Sequence, residues 1–133
     1  MDLWLDDVRP APVGWTHAKT YKEGLYFLNT RQVKRISFDH DLEIVDGEPE
    51  RNGYDLMCWL EEQIMRDEKF PIPAISVHSQ NPVGSQKIKA AARAMVERLG
   101  PEVYFARLKG TFKTGQDGKV EVKSPEKILP EQK

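Results

Sequence analysis

Short apolar runs alternate with amphipathic helical patterns along the chain, and this alternation restricts the fold more than any other feature. The strand-like runs lie at residues 3–5, 15–18, 33–38, 74–77 and 103–108. Apolar residues with a helical period lie between most of them, and Thr20 followed by Glu23 is a capping-box pattern before the first helix. Strands that alternate with helices predict an α/β fold with a mostly parallel five-stranded sheet.

The length and the turn residues predict one α/β domain with a short C-terminal extension. A chain of 133 residues normally forms a single domain. The predicted domain covers residues 1–108, and residues 109–133 are expected to form a β-hairpin, with its turn at 114–119, and a frayed tail. The exposed edge of this hairpin could pair with a second copy, so the oligomeric state stays open.

The composition argues against several classes of protein. Acidic and basic residues nearly balance, with a formal net charge of −1, which disfavours a strongly electrostatic binder of nucleic acid or membrane surfaces. No apolar run approaches the ~18 residues of a membrane span, and the single cysteine, Cys58, excludes an internal disulfide. The chain starts on a strand-like pattern without a signal segment, so we expect a cytoplasmic protein.

Ionisable residues follow three of the predicted strands. Asp6 and Asp7 follow the first strand, the Asp-His-Asp triplet at 39–41 follows the third, and His78 follows the fourth. Ligands of open α/β sheets bind beyond the carboxyl ends of the strands. If these strands are neighbours, with the first one central, the three groups converge on one edge of the sheet and form a site there.

The acidic residues of this edge are candidates for a metal site. Carboxylates that share one site repel each other unless a cation or a proton lies between them. Oxygen ligands suit a hard ion such as Mg²⁺, so we predict Asp6, Asp7 and Asp39 as Mg²⁺ ligands. The alternative for any one of them is a structural role, as the cap of a turn or as the partner of Arg9.

The two histidines of this edge are candidates for proton transfer. An imidazole titrates near neutral pH, so His40 and His78 could flank a phosphodiester as general base and general acid, with Asp39 as the third catalytic residue. Each histidine could instead be a hydrogen-bonded structural group. Further residues expected to bind the substrate are Arg9, Asp41, Ser79 and Asn81. Arg9 either clamps a phosphate or only neutralises the acidic pair beside it.

Four segments of the sequence carry a resemblance to a known family. LWLDDVRP at 3–10, ISFDHDL at 36–42, NGYDLMCWLEE at 52–62 and ISVHSQNP at 75–82 resemble receiver domains of two-component signalling. They resemble more closely a divergent branch, the cyclic-phosphate processing receiver-like proteins of bacteria and their phages. The resemblance implies a flavodoxin-like three-layer sandwich with strand order 2-1-3-4-5.

The resemblance also assigns roles to individual residues. It implies that Asp6 and Asp7 match the acidic pair of receivers, that Asp39 matches their phospho-acceptor, and that His78 or Ser79 takes the position of their switch Ser/Thr. The sequence departs from receivers in three respects. His40, Asp41, His78 and Asn81 are additional to the receiver pattern. Residues 8–14 leave no room for the usual first helix, which is expected to be a loop, and no Lys-Pro follows the fifth predicted strand.

Three functions are compatible with these residues. The first is a small phosphoesterase that processes a cyclic phosphate, on a nucleotide or at an RNA end, by metal-assisted acid–base chemistry. The second is a stand-alone receiver phosphorylated on Asp39, and the third is a non-catalytic protein that sequesters a cyclic nucleotide. The paired histidines favour the first over the second. The sequence does not separate the first from the third, so it leaves open whether the protein is an enzyme.

Overall fold

The computed structural model describes residues 1–111 and 126–127 of the 133-residue chain. Its strands are β1 (Asp2–Leu5), β2 (Thr16–Ala18), β3 (Arg35–Phe38), β4 (Ala74–Val77) and β5 (Glu126–Lys127). Its helices are α1 (Tyr21–Asn29), α2 (Gly53–Arg66), α3 (Pro82–Leu99) and α4 (Pro101–Arg107). Within the described ranges, no helix is long and apolar enough to cross a membrane.

Strands β1 to β4 form a parallel sheet in the order β2-β1-β3-β4. Leu5 lies opposite Ala18 on one side and Phe38 on the other, and Phe38 lies opposite Val77. The last residues of all four strands are therefore in register, and the segments that follow them leave the sheet at the same edge. This confirms the predicted α/β class, but β3 rather than β1 is the middle one of the three strands that are followed by ionisable residues.

The fifth strand differs from the prediction. Residues 103–108 were predicted as a parallel strand, but most of them belong to helix α4, and only Leu108 forms a single parallel bridge, with Ile72. The strand that lies beside β4 is the short antiparallel β5. The predicted hairpin around 114–119 lies outside the described residues, and the predicted domain boundary at residue 108 stays a prediction.

Local sequence and tertiary contacts explain why helix α4 forms. Proline at the first helical position favours helix, and Pro101 follows Gly100, whose positive φ of 90° turns the chain after α3. Tyr104 is fully buried in the core. Arg107 donates hydrogen bonds to three backbone carbonyls at and beyond the end of α2, those of Ile64, Asp67 and Phe70.

One face of the sheet carries the hydrophobic core. Because side chains alternate along a strand, Leu3 and Leu5 of β1 point to the same face. They pack in one cluster with the second and fourth residues of β3 and β4, and all four helices contribute buried residues to it. The opposite face carries Trp4, Ser37 and Ser76. The described ranges thus contain one helical layer, and the second layer of the predicted three-layer sandwich is not among them.

The connection from β1 to β2, residues 6–15, contains no helix, as the sequence predicts. The Asp6 carboxylate organises its first turn by accepting hydrogen bonds from the backbone N–H groups of Val8 and Arg9, both at 2.8 Å. The Trp4 indole N–H donates to the carbonyl of Arg9 at 3.2 Å. These bonds hold the loop at the end of β1, where a receiver would begin its first helix.

Candidate metal and phosphate site

Three carboxylates converge at the carboxyl ends of β1 and β3. One oxygen from each of Asp6, Asp7 and Asp39 lies within 4.8 Å of the other two. Asp6 is buried and the other two are partly exposed. They line an open cavity of about 380 Å³ together with Val8, Arg9, Asp41, Gln80 and Asn81, and we call it the acidic cavity.

Burial and mutual repulsion make the acidic cavity electrostatically unfavourable without a cation. Burial and, to a smaller extent, the neighbouring Asp6 carboxylate raise the pKa of the Asp39 carboxyl to about 6, against the lowering effects of the Ser79 hydroxyl and the His40 amide. The pKa of Asp7 is also raised, mainly by burial and also by the charges of Asp6 and Asp41. A cation that binds beside such a carboxyl group stabilises its ionised form.

Asp6 is held rigidly from two sides. Its Oδ1 accepts the two loop amides of residues 8 and 9, and its Oδ2 accepts a hydrogen bond from His78 Nε2 at 2.9 Å. A carboxylate offers about four lone-pair positions, so three hydrogen bonds leave one for a metal. The donor set is oxygen only, and the cluster is therefore able to hold one hard cation.

His78 lies behind the acidic cluster rather than in front of it. Its side chain is only 2% exposed and stacks on Trp4, with ring centroids 3.7 Å apart and planes 6° apart. Its Nδ1 is 2.7 Å from the Ser37 hydroxyl. Burial lowers its pKa to about 4, in spite of the Asp6 carboxylate, so the ring is neutral near pH 7. A neutral ring donates through Nε2 to Asp6 and accepts at Nδ1 from Ser37.

This position does not fit the catalytic role predicted for His78. Both of its ring nitrogens are already hydrogen-bonded within the protein, and the ring is closed off from solvent. A group in that situation has no nitrogen to offer to a ligand. The predicted arrangement of two histidines on either side of a phosphodiester is therefore not formed.

His40 does not line the acidic cavity, but its ring lies next to two residues that do. Its Nδ1 is 2.9 Å from an Asp41 carboxylate oxygen and 3.5 Å from the Asn81 side-chain nitrogen, and both of these residues line the cavity. The ring packs on the first turn of α3, where Gly84 leaves room for it. A methyl group at Gly84 would overlap the His40 ring and approach its Cβ to 2.7 Å. Within the described residues, Nε2 of His40 has no hydrogen-bond partner.

The predicted substrate-binding residues fall into two groups. Arg9, Asp41 and Asn81 line the acidic cavity, although one guanidinium nitrogen of Arg9 already donates to the His78 carbonyl at 3.0 Å. Asn81 also caps α3, because its side-chain oxygen accepts from the Gly84 amide. Ser79 does not line the cavity; its hydroxyl lowers the pKa of the Asp39 carboxyl and accepts from the amide of Asn81 at 3.0 Å.

Comparison with known proteins gives one match. The sequence model of the cyclic-phosphate processing receiver domain matches residues 1–94, about two thirds of the chain. The chain belongs to this family. Comparison with curated proteins and with solved structures gave no match.

The family match covers every candidate site residue of this cyclic-phosphate processing receiver domain, from Asp6 to Asn81. It confirms the resemblance inferred from the four sequence segments. The sequence reasoning missed four residues of the site: Val8 and Gln80, which line the cavity, and Trp4 and Ser37, which hold His78. Val8 and Gln80 each lie between two predicted site residues, and strand alternation places Trp4 and Ser37 on the same face of the sheet, so the sequence contained an indication of each.

Proposed function

We propose that this receiver-family protein binds a cyclic phosphate ester in the acidic cavity and opens it by acid–base chemistry with the help of Mg²⁺. The observation that carries the proposal is the convergence of the carboxylate oxygens of Asp6, Asp7 and Asp39 within 4.8 Å of one another. The family is described by cyclic-phosphate processing, which supplies the class of substrate. A bound Mg²⁺ would supply charge neutralisation and orientation of the phosphoryl oxygens.

Arg9 and Asn81 would hold the phosphate from the protein side. Both line the acidic cavity, one with a guanidinium group and the other with a side-chain N–H₂. A guanidinium group is suited to a phosphate because it donates two parallel hydrogen bonds. The Asn81 oxygen is already used in capping α3, which leaves its nitrogen as the donor directed to the ligand.

His40 is the residue best placed to move a proton. Asp41 accepts from its Nδ1 and fixes the tautomer, so that Nε2 can accept a proton from an attacking water. In the proposed step the water oxygen bonds to phosphorus and one ring P–O bond breaks. His40 takes the proton of the water, and the leaving oxygen takes a proton from solvent.

His78 has a positioning role in this proposal. It donates to the same Asp6 carboxylate that would bind the metal, and Ser37 and Trp4 hold the ring in place. Outer residues that hydrogen-bond a metal ligand commonly change metal affinity by about 10–100-fold when they are replaced. We therefore assign His78 to the orientation of Asp6 and not to proton transfer.

The direct test uses nucleoside 2′,3′-cyclic phosphates with and without Mg²⁺, and follows the product by phosphorus NMR. We expect Mg²⁺-dependent ring opening that falls by at least about 100-fold in His40→Ala and is lost in Asp39→Asn. Glu97→Gln is the matched control, because Glu97 is exposed on α3 and is not one of the candidate site residues. Binding without turnover in the wild-type protein would overturn the catalytic part and leave a non-catalytic binder.

One observation favours a second candidate function. The Ser79 hydroxyl lowers the pKa of the Asp39 carboxyl, and the receiver resemblance matches Asp39 to the phospho-acceptor and His78 or Ser79 to the switch residue. A stand-alone receiver would take a phosphoryl group on Asp39. Stable labelling by acetyl phosphate that disappears in Asp39→Asn, without ring-opening activity, would support this function over the first.

A further inference from the structure

A second and larger cavity lies beside helix α1. It has a volume of about 710 Å³ and is lined by residues of α1, of β2 and of the loop that precedes α2. We call it the α1 cavity. Volumes of about 300–1,000 Å³ are typical of small-molecule sites, and the acidic cavity, at about 380 Å³, lies near the lower end of that range.

The α1 cavity adjoins the acidic cavity. Asp41 lines the acidic cavity and Glu43, two residues later, lines the α1 cavity. The amide of Glu43 donates to the Lys19 carbonyl at 3.1 Å, which ties this segment to the start of α1. On the other side, His17 lines the α1 cavity while its ring nitrogen lies 2.7 Å from the carbonyl oxygen of Asp6. The same short segments therefore border both cavities.

The lining of the α1 cavity suits a planar heteroaromatic group. Tyr21 lines the cavity, and the Arg51 guanidinium lies 5.4 Å from its ring centroid. Tyr26 also lines it and is 67% exposed, and Val45 from the loop is 41% exposed. Proteins stack unstacked bases on aromatic rings or on arginine guanidinium planes, and the Arg51 guanidinium, supported by the Tyr21 ring, offers such a plane.

We propose that the α1 cavity binds the base of a nucleoside cyclic phosphate whose phosphate lies in the acidic cavity. This inference rests on the proposed function, because it needs the phosphate in that position. It identifies the substrate class as a nucleoside derivative rather than a simple cyclic phosphate ester. The base stacks on the Arg51 guanidinium, which itself lies over the Tyr21 ring, and the segment between Asp41 and Glu43 lies beside the sugar.

The test compares three probes by isothermal titration in the presence of Mg²⁺: inorganic phosphate, a nucleoside 2′,3′-cyclic phosphate, and ethylene cyclic phosphate, which lacks sugar and base. We expect the nucleoside probe to bind at least 10-fold more tightly than ethylene cyclic phosphate. Tyr21→Leu and Arg51→Gln should each remove most of that advantage and leave the binding of phosphate unchanged. Arg51 is exposed, so its replacement does not threaten folding.

Tyr54→Leu is the matched control, because Tyr54 is a partly buried tyrosine that also carries a cation over its ring, Lys87 at 5.8 Å, outside both cavities. An advantage of the nucleoside probe that survives both Tyr21→Leu and Arg51→Gln would overturn the inference and leave the proposed function intact. If none of the three probes binds the folded wild-type protein, the proposed function itself fails, and the inference fails with it.

Discussion

Replacement of His78 by alanine should destabilise the protein by about 3–5 kcal/mol at pH 7. The ring donates to the buried Asp6 carboxylate at 2.9 Å and stacks on Trp4, and both partners of the hydrogen bond are 2% exposed or less. A hydrogen bond to a charged group contributes about 1.5–3 kcal/mol, and the stacked pair adds about 0.5–1.5 kcal/mol. The alanine variant also leaves a cavity and an unpaired carboxylate oxygen.

The effect of pH distinguishes this interpretation from a simple loss of packing. The pKa of His78 is lowered to about 4 in the folded protein, from 6.5 as the reference value. A depressed histidine pKa means that the unfolded chain binds the proton more readily than the folded protein. The contribution of the neutral His78 ring to the free energy of unfolding is therefore complete above pH 6.5 and is lost as pH falls toward 4. At about 1.4 kcal/mol per pKa unit, this loss amounts to about 3 kcal/mol. The alanine variant has no such proton to bind.

The assay is urea unfolding, followed by tryptophan fluorescence, of the wild-type protein and of His78→Ala at pH 7 and pH 4. We expect the stability difference between them to shrink from about 3–5 kcal/mol to about 1 kcal/mol as the pH falls. Ser37→Ala is the control, because it removes one hydrogen bond to the ring and keeps the bond to Asp6; it should cost about 1 kcal/mol. A difference below about 1 kcal/mol at pH 7, or one that does not change with pH, would refute the reasoning.

Three further predictions concern the same edge of the sheet. Mg²⁺ should raise the melting temperature of the wild-type protein and not that of Asp39→Asn. In metal-free buffer the asparagine variant should melt at a higher temperature than the wild-type protein, because the raised pKa of Asp39 means that its charge costs stability as pH rises from 3.8 through 6. Equal melting temperatures of the two proteins in metal-free buffer would contradict this. Gly84→Ala should cost about 1–3 kcal/mol in urea unfolding, because the methyl group displaces the His40 ring; a gain of about 1 kcal/mol, as helix propensity alone would give, would show that the ring is not packed there. Gly53→Ala should cost more than about 2 kcal/mol, because its methyl group meets the backbone carbonyl of Asp39, which cannot swing aside; near-wild-type stability would disprove that contact.

The position of the acidic cluster could be predicted from the sequence because it depends only on the order of parallel strands. Asp6 and Asp39 each follow the last residue of a strand by one position, and Leu5 and Phe38 are paired in the sheet. Their convergence therefore needs no information beyond the alternation of strands and helices. The fifth strand could not be predicted in the same way. Residues 103–108 contain β-branched and aromatic residues, but Pro101 starts a helix there, and tertiary contacts of Tyr104 and Arg107 stabilise it.

The separation of the two histidines follows from the register of β3 and β4. Phe38 and Val77 are paired and point to the core face. His40 comes two residues after Phe38, so alternation returns it to the core face, where it packs on α3. His78 comes one residue after Val77, so it falls on the opposite face, beside Trp4 and Ser37. A one-residue difference in spacing thus makes one histidine a candidate for proton transfer and the other a support for Asp6. Because the two histidines lie on different faces of one sheet edge, and the His78 ring hydrogen-bonds to the predicted metal ligand Asp6, replacing His78 should change metal affinity while replacing His40 should change turnover alone.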